Sequence, residues 1–303
     1  MPASTRDLAV VVVTHQSARD LDGCVGALLA HSGGARLHIV VSDAGSTDGV
    51  EEVAARLPVR FVPGANTGFA AGVNRALADP VLAGLRWVLL VNPDVQMVEG
   101  SLSGLLDRCD ALPEVGLATV RTVDQNGGLV RNLGRPVTLR HWMRMALQGR
   151  GGDWYWDPAR YEGEATAAWV AGSFLLARRD LLNDLGGFDE RFFLYSEEVD
   201  LCKRARRAGW QVRYLPNATV MHPLAGRRLD AHQTRLLAWS RLVYVDKWHR
   251  RPARLAFRVA RVLMILRWMT RRLRSGQAAG EEWTELVATL RFRPERYGPA
   301  DAA

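Results

Sequence analysis

Short β-branched apolar runs separated by segments of helical period fill the first third of the chain, and no other feature of the sequence limits the fold so strongly. Residues 8–13 (LAVVVV) carry no polar side chain, the pattern of a strand buried on both faces of a parallel sheet. Residues 17–31 follow with helical spacing (Leu21, Cys24, Val25, Leu28, Leu29), and residues 37–41 predict a second buried strand. The alternation continues with a helix over 49–56, a strand at 59–62, a helix over 68–79 and a strand at 87–91. It predicts an open, right-handed, mostly parallel α/β sheet flanked by helices. Ligands of such sheets bind beyond the carboxyl ends of the strands. Thr14 and His15 follow the first strand, the loop from Asp43 to Gly49 the second, and Asn92, Pro93 and Asp94 the strand that ends at Val91.

The second half is less regular. A Gly-rich, aromatic stretch at 149–161 predicts a loop, with Trp154, Tyr155 and Trp156 in a mobile lid. Residues 168–177 predict one strand, 180–185 a helix, 186–189 a turn and 197–208 a helix. Two short strands are expected at 212–215 and 219–221, just before His222. From 232 to 274 the pattern is helical with a break near Arg251 and Pro252, and a last helix is expected over 281–290 before a loose tail.

Charge divides the chain. Of 40 basic and 32 acidic residues, giving +8 overall, residues 1–130 hold 9 Arg and 14 Asp or Glu, so the remainder carries a large positive excess. Residues 241–274 concentrate it, with 11 basic side chains against the single acid Asp246, interleaved with apolar positions such as Leu255, Val259, Leu263 and Leu266. This composition predicts a basic amphipathic helix lying on an anionic membrane surface; a helix packed on the preceding domain is the alternative. Nucleic acid is not expected as a partner, because no nucleic-acid fold accompanies the basic stretch. The division predicted is 1–230 for an α/β domain, with halves at 1–130 and 131–230, and 231–303 for a helical extension. The most apolar stretch, 259–269, is interrupted by Arg261 and Arg267 and falls short of the ~20 residues a spanning helix needs. No signal peptide is read at the start. Cys24, Cys109 and Cys202 are too few and scattered for a disulfide framework or a Cys-based zinc site, which suits a reducing compartment.

Asp94, at the end of a buried strand on the ligand rim, is placed either to bind a divalent cation that holds a diphosphate or simply to form a turn. The loop at 43–49 either caps the next helix or presents Asp43 to a base or ribose. It is neither a Walker loop nor a dinucleotide fingerprint, since the Gly-Lys-Ser/Thr and Gly-x-Gly-x-x-Gly patterns are absent.

Seven ordered segments, VVVVT (10–14), VSDAGSTDG (41–49), NTGFAAGVN (66–74), VNPDV (91–95), WVAGSF (169–174), GGFDERFF (186–193) and YSEEVDL (195–201), together resemble glycosyltransferase family 2 over about 8–225. These are inverting enzymes of the GT-A fold that use nucleoside-diphosphate sugars. Within the family the likeness is to bacterial rhamnosyltransferases that move L-rhamnose from dTDP-rhamnose to a lipid-linked acceptor in cell-wall and O-antigen assembly. The resemblance implies that Asp43 contacts the nucleotide base, with Thr14, His15 and Gly45 at the same pocket and Asn66, Gly68, Asn74 and Asn92 along the donor site. Asp94 matches the second acid of the metal-binding Asp-x-Asp motif, with Asn92 at the first position, and His222 resembles a further metal ligand. One Mg²⁺ or Mn²⁺ between Asp94 and His222 is therefore expected. Glu198 falls at the position of the catalytic base, with Glu197 and Asp200 in supporting or alternative roles. Since Glu198 is one methylene longer than the usual Asp, either the backbone sits further from the acceptor or Asp200 takes the role. Trp169, Gly172, Phe188, Asp189 and Tyr195 are expected on the acceptor side.

The implied partners are a nucleoside-diphosphate sugar, with dTDP-L-rhamnose first, and a polyprenyl-diphosphate-linked saccharide. The implied location is the cytoplasmic face of the membrane, and homo-oligomerisation is left open. A galactofuranosyl or other hexosyl transferase using a UDP-sugar is the alternative. A sugar nucleotidyltransferase is disfavoured because residues 14–17 (THQS) lack a Gly-rich basic segment, and a non-catalytic binding module because it has no use for Glu198.

Overall fold

A computed structural model describes residues 6–148, 153–223 and 229–292; the start of the loop expected at 149–161 and the tail expected after 292 lie outside the described residues. Its strands are β1 (Asp7–Thr14), β2 (Arg36–Asp43), β3 (Arg60–Val62), β4 (Trp87–Val91), β5 (Gln96–Glu99), β6 (Val115–Val123), β7 (Leu133–Gly134), β8 (Ala165–Thr166), β9 (Trp169–Val170), β10 (Phe174–Arg178) and β11 (Gln211–Met221). Its α-helices are α1 (Ala18–Ala30), α2 (Val50–Ala54), α3 (Phe69–Leu77), α4 (Leu102–Asp110), α5 (Leu139–Gln148), α6 (Arg179–Asp184), α7 (Glu197–Arg207), α8 (Ala231–Trp248), α9 (Arg251–Arg274) and α10 (Gly280–Arg291).

The main sheet runs β3-β2-β1-β4-β10-β6-β11-β5, with β8 on β11, while β7 and β9 form a separate ribbon. The four strands β3, β2, β1 and β4 are parallel, as the alternation predicts. Beyond them the sheet is mixed: β10 lies antiparallel to both β4 and β6, and β5 antiparallel to β11. β1 shows why the parallel part is covered on both faces. Successive side chains alternate, so Ala9, Val11 and Val13 enter the core under α3, while Leu8, Val10 and Val12 enter the core under α1.

Two expected elements differ. The run 168–177 is broken, because β9 ends at Val170 and β10 begins at Phe174. The intervening turn brings Ser173 to the end of β4, where its carbonyl accepts the Asn92 N–H at 2.9 Å. Conversely, the two strands expected at 212–215 and 219–221 are one, β11, whose register against β6 shifts between Tyr214 and Thr219. Pro216, which has no N–H to give a ladder, sits in that shift.

A capping box opens α8: the Asp230 carboxylate accepts the Gln233 N–H at 2.7 Å and the Gln233 side chain accepts the Asp230 N–H at 3.2 Å. Tyr244 of α8 joins the core that contains Val11 and Leu175, so the segment beyond residue 230 begins inside the α/β body. α9 starts with Pro252 in its first turn and shares a third core, of Trp142, Met145, Val245, Phe257 and Met264, with α5 and α8. Its outer side exposes Leu255, Val259, Leu263, Leu266 and Leu273, beside exposed Arg251, Arg271 and Arg274. No helix among the described residues is long and apolar enough to cross a membrane.

Candidate active site

The parallel register of β1 and β2 ends with Thr14 beside Asp43. The Thr14 hydroxyl donates to Asp43 Oδ1 at 2.9 Å, and Ser46 gives the same carboxylate its N–H at 2.8 Å and its hydroxyl at 2.5 Å. Asp43 is buried and held as an acceptor on the rim. Arg75 of α3 donates to the Asp43 carbonyl at 2.7 Å and to the Ala65 carbonyl at 3.1 Å, tying the loop that carries Asn66 to the same rim. His15 Nδ1 lies 2.9 Å from the Ala44 carbonyl, which orients the ring. Gly45, at φ +69°, lets the loop pass within van der Waals reach of the Asn66 backbone.

Two residues expected in the donor site have structural work instead. At Gly68 (φ +100°) a Cβ would lie 2.4 Å from the Phe193 carbonyl, which accepts the Phe69 N–H at 2.7 Å. Asn74 donates to the Phe188 carbonyl at 2.9 Å and accepts the Phe188 N–H at 2.9 Å. Both join α3 to the 186–193 turn, so the Asn74 amide is occupied and not turned to a ligand.

The pairing of β5 with β11 builds a second part of the site. Gln96 lies opposite Met221, so the residue two before the one and the residue just after the other meet. His222 Nε2 is 3.2 Å from Asp94 Oδ2, and both side chains are largely shielded from solvent. Among the described residues, no three His, Cys, Asp or Glu side chains gather to hold a metal ion. Two protein donors still fit a hard cation that takes its other ligands from phosphate oxygens and water. A cavity of about 850 Å³ reaches from this pair, lined by Asn92, Asp94, His222, Glu197, Glu198 and Trp169 among others.

Glu197 and Glu198 open α7. The two residues before them, Tyr195 and Ser196, have φ of +70° and +63°, a left-handed bend that non-glycine residues adopt at a cost of about 1–3 kcal/mol each. Ser240 of α8 donates its hydroxyl to the Tyr195 carbonyl and secures the bend. The Oε2 atoms of Glu197 and Glu198 are buried with no hydrogen-bond partner among the described residues. A helix N-terminus favours anions, but burial outweighs it. Burial pushes the Glu198 carboxyl up to about 7, and burial together with the neighbouring Glu198 charge drives Glu197 well above the usual carboxylate range. The backbone at Gly172 comes close: a Cβ there would touch the Glu198 Cβ at 3.4 Å.

Asp200 does not share this setting. It is fully buried and accepts from Arg204 at 2.7 Å and Trp248 at 2.8 Å, with Lys247 at 2.6 Å. Its oxygens are occupied, whereas Glu197 and Glu198 both line the cavity. Of the residues expected on the acceptor side, Trp169, Gly172 and Tyr195 line the cavity. Phe188 is buried in the core instead. Asp189 is tied to Arg191 at 2.7 Å and Lys247 at 2.6 Å; although burial opposes its ionisation, these bonds hold its carboxyl well below the usual range.

Helix α8 forms one wall of the cavity through Gln233, Leu237, Arg241 and Tyr244, a role that its residue pattern does not announce. Nor does the 153–157 segment read as a loose lid. Trp154 packs on Trp169 with ring centroids 4.4 Å apart, the Tyr155 N–H donates to the Leu133 carbonyl at 2.9 Å, and the Arg135 N–H to the Asp153 carbonyl at 2.7 Å.

The chain as a whole has counterparts among known proteins. A family model described as "Glycosyltransferase like family 2" matches residues 5–241. The chain belongs to this family. An N-acetylglucosaminyl-diphospho-decaprenol L-rhamnosyltransferase of Mycobacterium tuberculosis is 34% identical over 280 residues, which cover 83% of this glycosyltransferase and 89% of the relative. A pre-mycofactocin glycosyltransferase of the same bacterium is 30% identical over 241 residues, covering 78% of this chain and 45% of the relative. Among solved structures, a mannosyltransferase of Pyrobaculum calidifontis in complex with GDP-Man and Mn²⁺ matches with a TM-score of 0.58 at 16% identity, covering 95% of this chain and 87% of that one. That likeness carries the fold: this glycosyltransferase has the GT-A architecture.

Proposed function

We propose that this glycosyltransferase moves a sugar, L-rhamnose from dTDP-L-rhamnose in the first instance, onto a polyprenyl-diphosphate-linked saccharide with inversion at C1. The observation that carries the reading is the cavity that both the Asp94–His222 pair and Glu198 line, with the Glu198 Oε2 partnerless among the described residues. The 34% identity to a rhamnosyltransferase whose name specifies a decaprenol-diphosphate acceptor supports the choice of donor and acceptor. In this reading Asp43 and Thr14 hold the nucleoside at the rim. Asp94 and His222 would hold a Mg²⁺ or Mn²⁺ ion, which offsets charge on the diphosphate when bound. The ionised form of Glu198, whose carboxyl burial pushes up to about 7, takes the acceptor hydroxyl proton as that oxygen bonds to C1 and the C1–O bond to the diphosphate breaks. Tyr195 and Ser196 fix the direction of Glu198 through the strained bend, and Trp169, buried with Trp154 packed on its ring, backs the cavity wall.

The apolar, Arg-flanked outer side of α9 supports a peripheral position on the cytoplasmic face of the membrane, where a polyprenyl-linked acceptor lies. The test is a donor panel of dTDP-, UDP- and GDP-sugars with acceptor lipid and Mg²⁺ or Mn²⁺. The expected outcome is release of dTDP from dTDP-rhamnose, lost on adding a chelator and restored by the ion; turnover of only UDP- or GDP-sugars would contradict the donor assignment.

A further inference from the structure

Among the described residues, the acids Asp94, Asp124, Asp153, Glu197 and Glu198 line the cavity, so an acceptor that carries a diphosphate needs a cation to meet it there. The lining includes two arginines, Arg131 and Arg241. Arg241 is committed, with Asp153 at 2.8 Å and Glu285 at 3.6 Å. Arg131 is exposed and has no ion pair or hydrogen bond from its side chain to another described residue; its guanidinium lies 4.1 Å over the Trp156 ring. Stacking uses the face of a guanidinium and leaves its N–H fork open for the bidentate contact that suits a phosphate.

The ring beneath it is unusual too. Trp156 is 50% exposed at the cavity, although Trp is a heavily buried residue type. It follows Trp154, whose ring packs on Trp169, and Trp169 is itself fixed by its indole N–H to the Arg135 carbonyl at 2.8 Å. Asp153, bonded to Arg241 of α8, holds the start of this segment. The result is a preformed aromatic edge that carries Arg131, a cation unpaired among the described residues.

From these observations we infer that Arg131, stacked on Trp156, binds the diphosphate of the acceptor and makes this enzyme selective for diphosphate-linked over neutral saccharides. The inference rests on the proposed polyprenyl-diphosphate acceptor. Trp156 supplies the platform that keeps the guanidinium face covered and its edge free. With the donor diphosphate given to Asp94 and His222 in the proposed function, Arg131 is here given to the acceptor.

The test compares two acceptors with the purified full chain: a short-chain prenyl-diphosphate saccharide, and the octyl glycoside of the same saccharide. For Arg131→Ala the expected result is a fall of tenfold or more in the ratio of kcat/KM for the diphosphate acceptor over the octyl glycoside, most of it in acceptor KM. Arg131→Lys recovers part of the ratio, and donor KM stays within twofold. An unchanged ratio, or an effect that falls on donor KM, overturns the inference while leaving the proposed function standing. A wild-type enzyme that transfers sugar to the octyl glycoside but not to the diphosphate acceptor overturns the proposed acceptor and the inference with it. Trp156→Ala, expected to lower the same ratio, gives a second readout if Arg131→Ala folds poorly.

Discussion

At the ends of β1 and β2, Asp43 accepts three hydrogen bonds from Thr14 and Ser46, whereas at the start of α7 Glu197 and Glu198 each keep a buried oxygen without a partner. This rim is therefore finished before any ligand arrives, and its polar groups contribute to the fold. The cavity under α8 is unfinished: a strained bend delivers carboxylates whose ionised form the fold disfavours. One region gains stability from its carboxylate and the other loses it, and substitutions at the two should move stability in opposite directions.

The largest effect falls on a carboxylate that the motif places beside the base but the fold uses as a strut. Asp200→Ala leaves Arg204, Lys247 and Trp248 without their shared acceptor, and thermal or urea unfolding should show a loss of about 3–5 kcal/mol. A loss below about 1 kcal/mol would mean that Asp200 is free for chemistry after all. At the donor rim, Asp43→Ala strands the hydroxyls of Thr14 and Ser46 and should cost about 1–3 kcal/mol of stability along with donor affinity read by nucleotide titration.

Glu198→Gln should do the reverse. The folded pKa of Glu198 is raised from 4.5 to about 7, so its contribution to stability is present below pH 4.5 and is lost as pH rises through 7. The variant should match the parent near pH 4 and be more stable by about 1–3 kcal/mol at pH 8, measured by unfolding at both values. Equal stability at the two pH values would remove the contrast between the regions.

The parallel part of the fold was legible because its signals are local: apolar β-branched runs of strand length, each followed by turn residues. Asp43 beside Thr14 follows directly from two parallel strands of matched length. The meeting of Asp94 with His222 depends on β5 lying antiparallel to β11, a long-range pairing that no local pattern announces; family likeness alone pointed to it. Asn74 and Gly68 show the opposite failure, since motif positions taken as ligand contacts hold the backbone of the 186–193 turn. The wall formed by α8 was invisible because a helix face against a cavity has the same spacing as a face against a core. Arg131 carried no signal either: its meaning comes from the carboxylates and the Trp156 ring that the fold gathers around it.

The central claim, that Glu198 is the base of an inverting transfer, is tested most directly by steady-state kinetics of Glu198→Gln beside the parent across pH, with donor affinity measured separately. The parent should show kcat/KM rising with pH as Glu198 loses its proton near pH 7. The variant should lose about 10²–10⁴-fold in turnover together with that limb, while donor affinity stays within about threefold. Turnover near the parental value, with the same pH limb intact, would contradict the assignment.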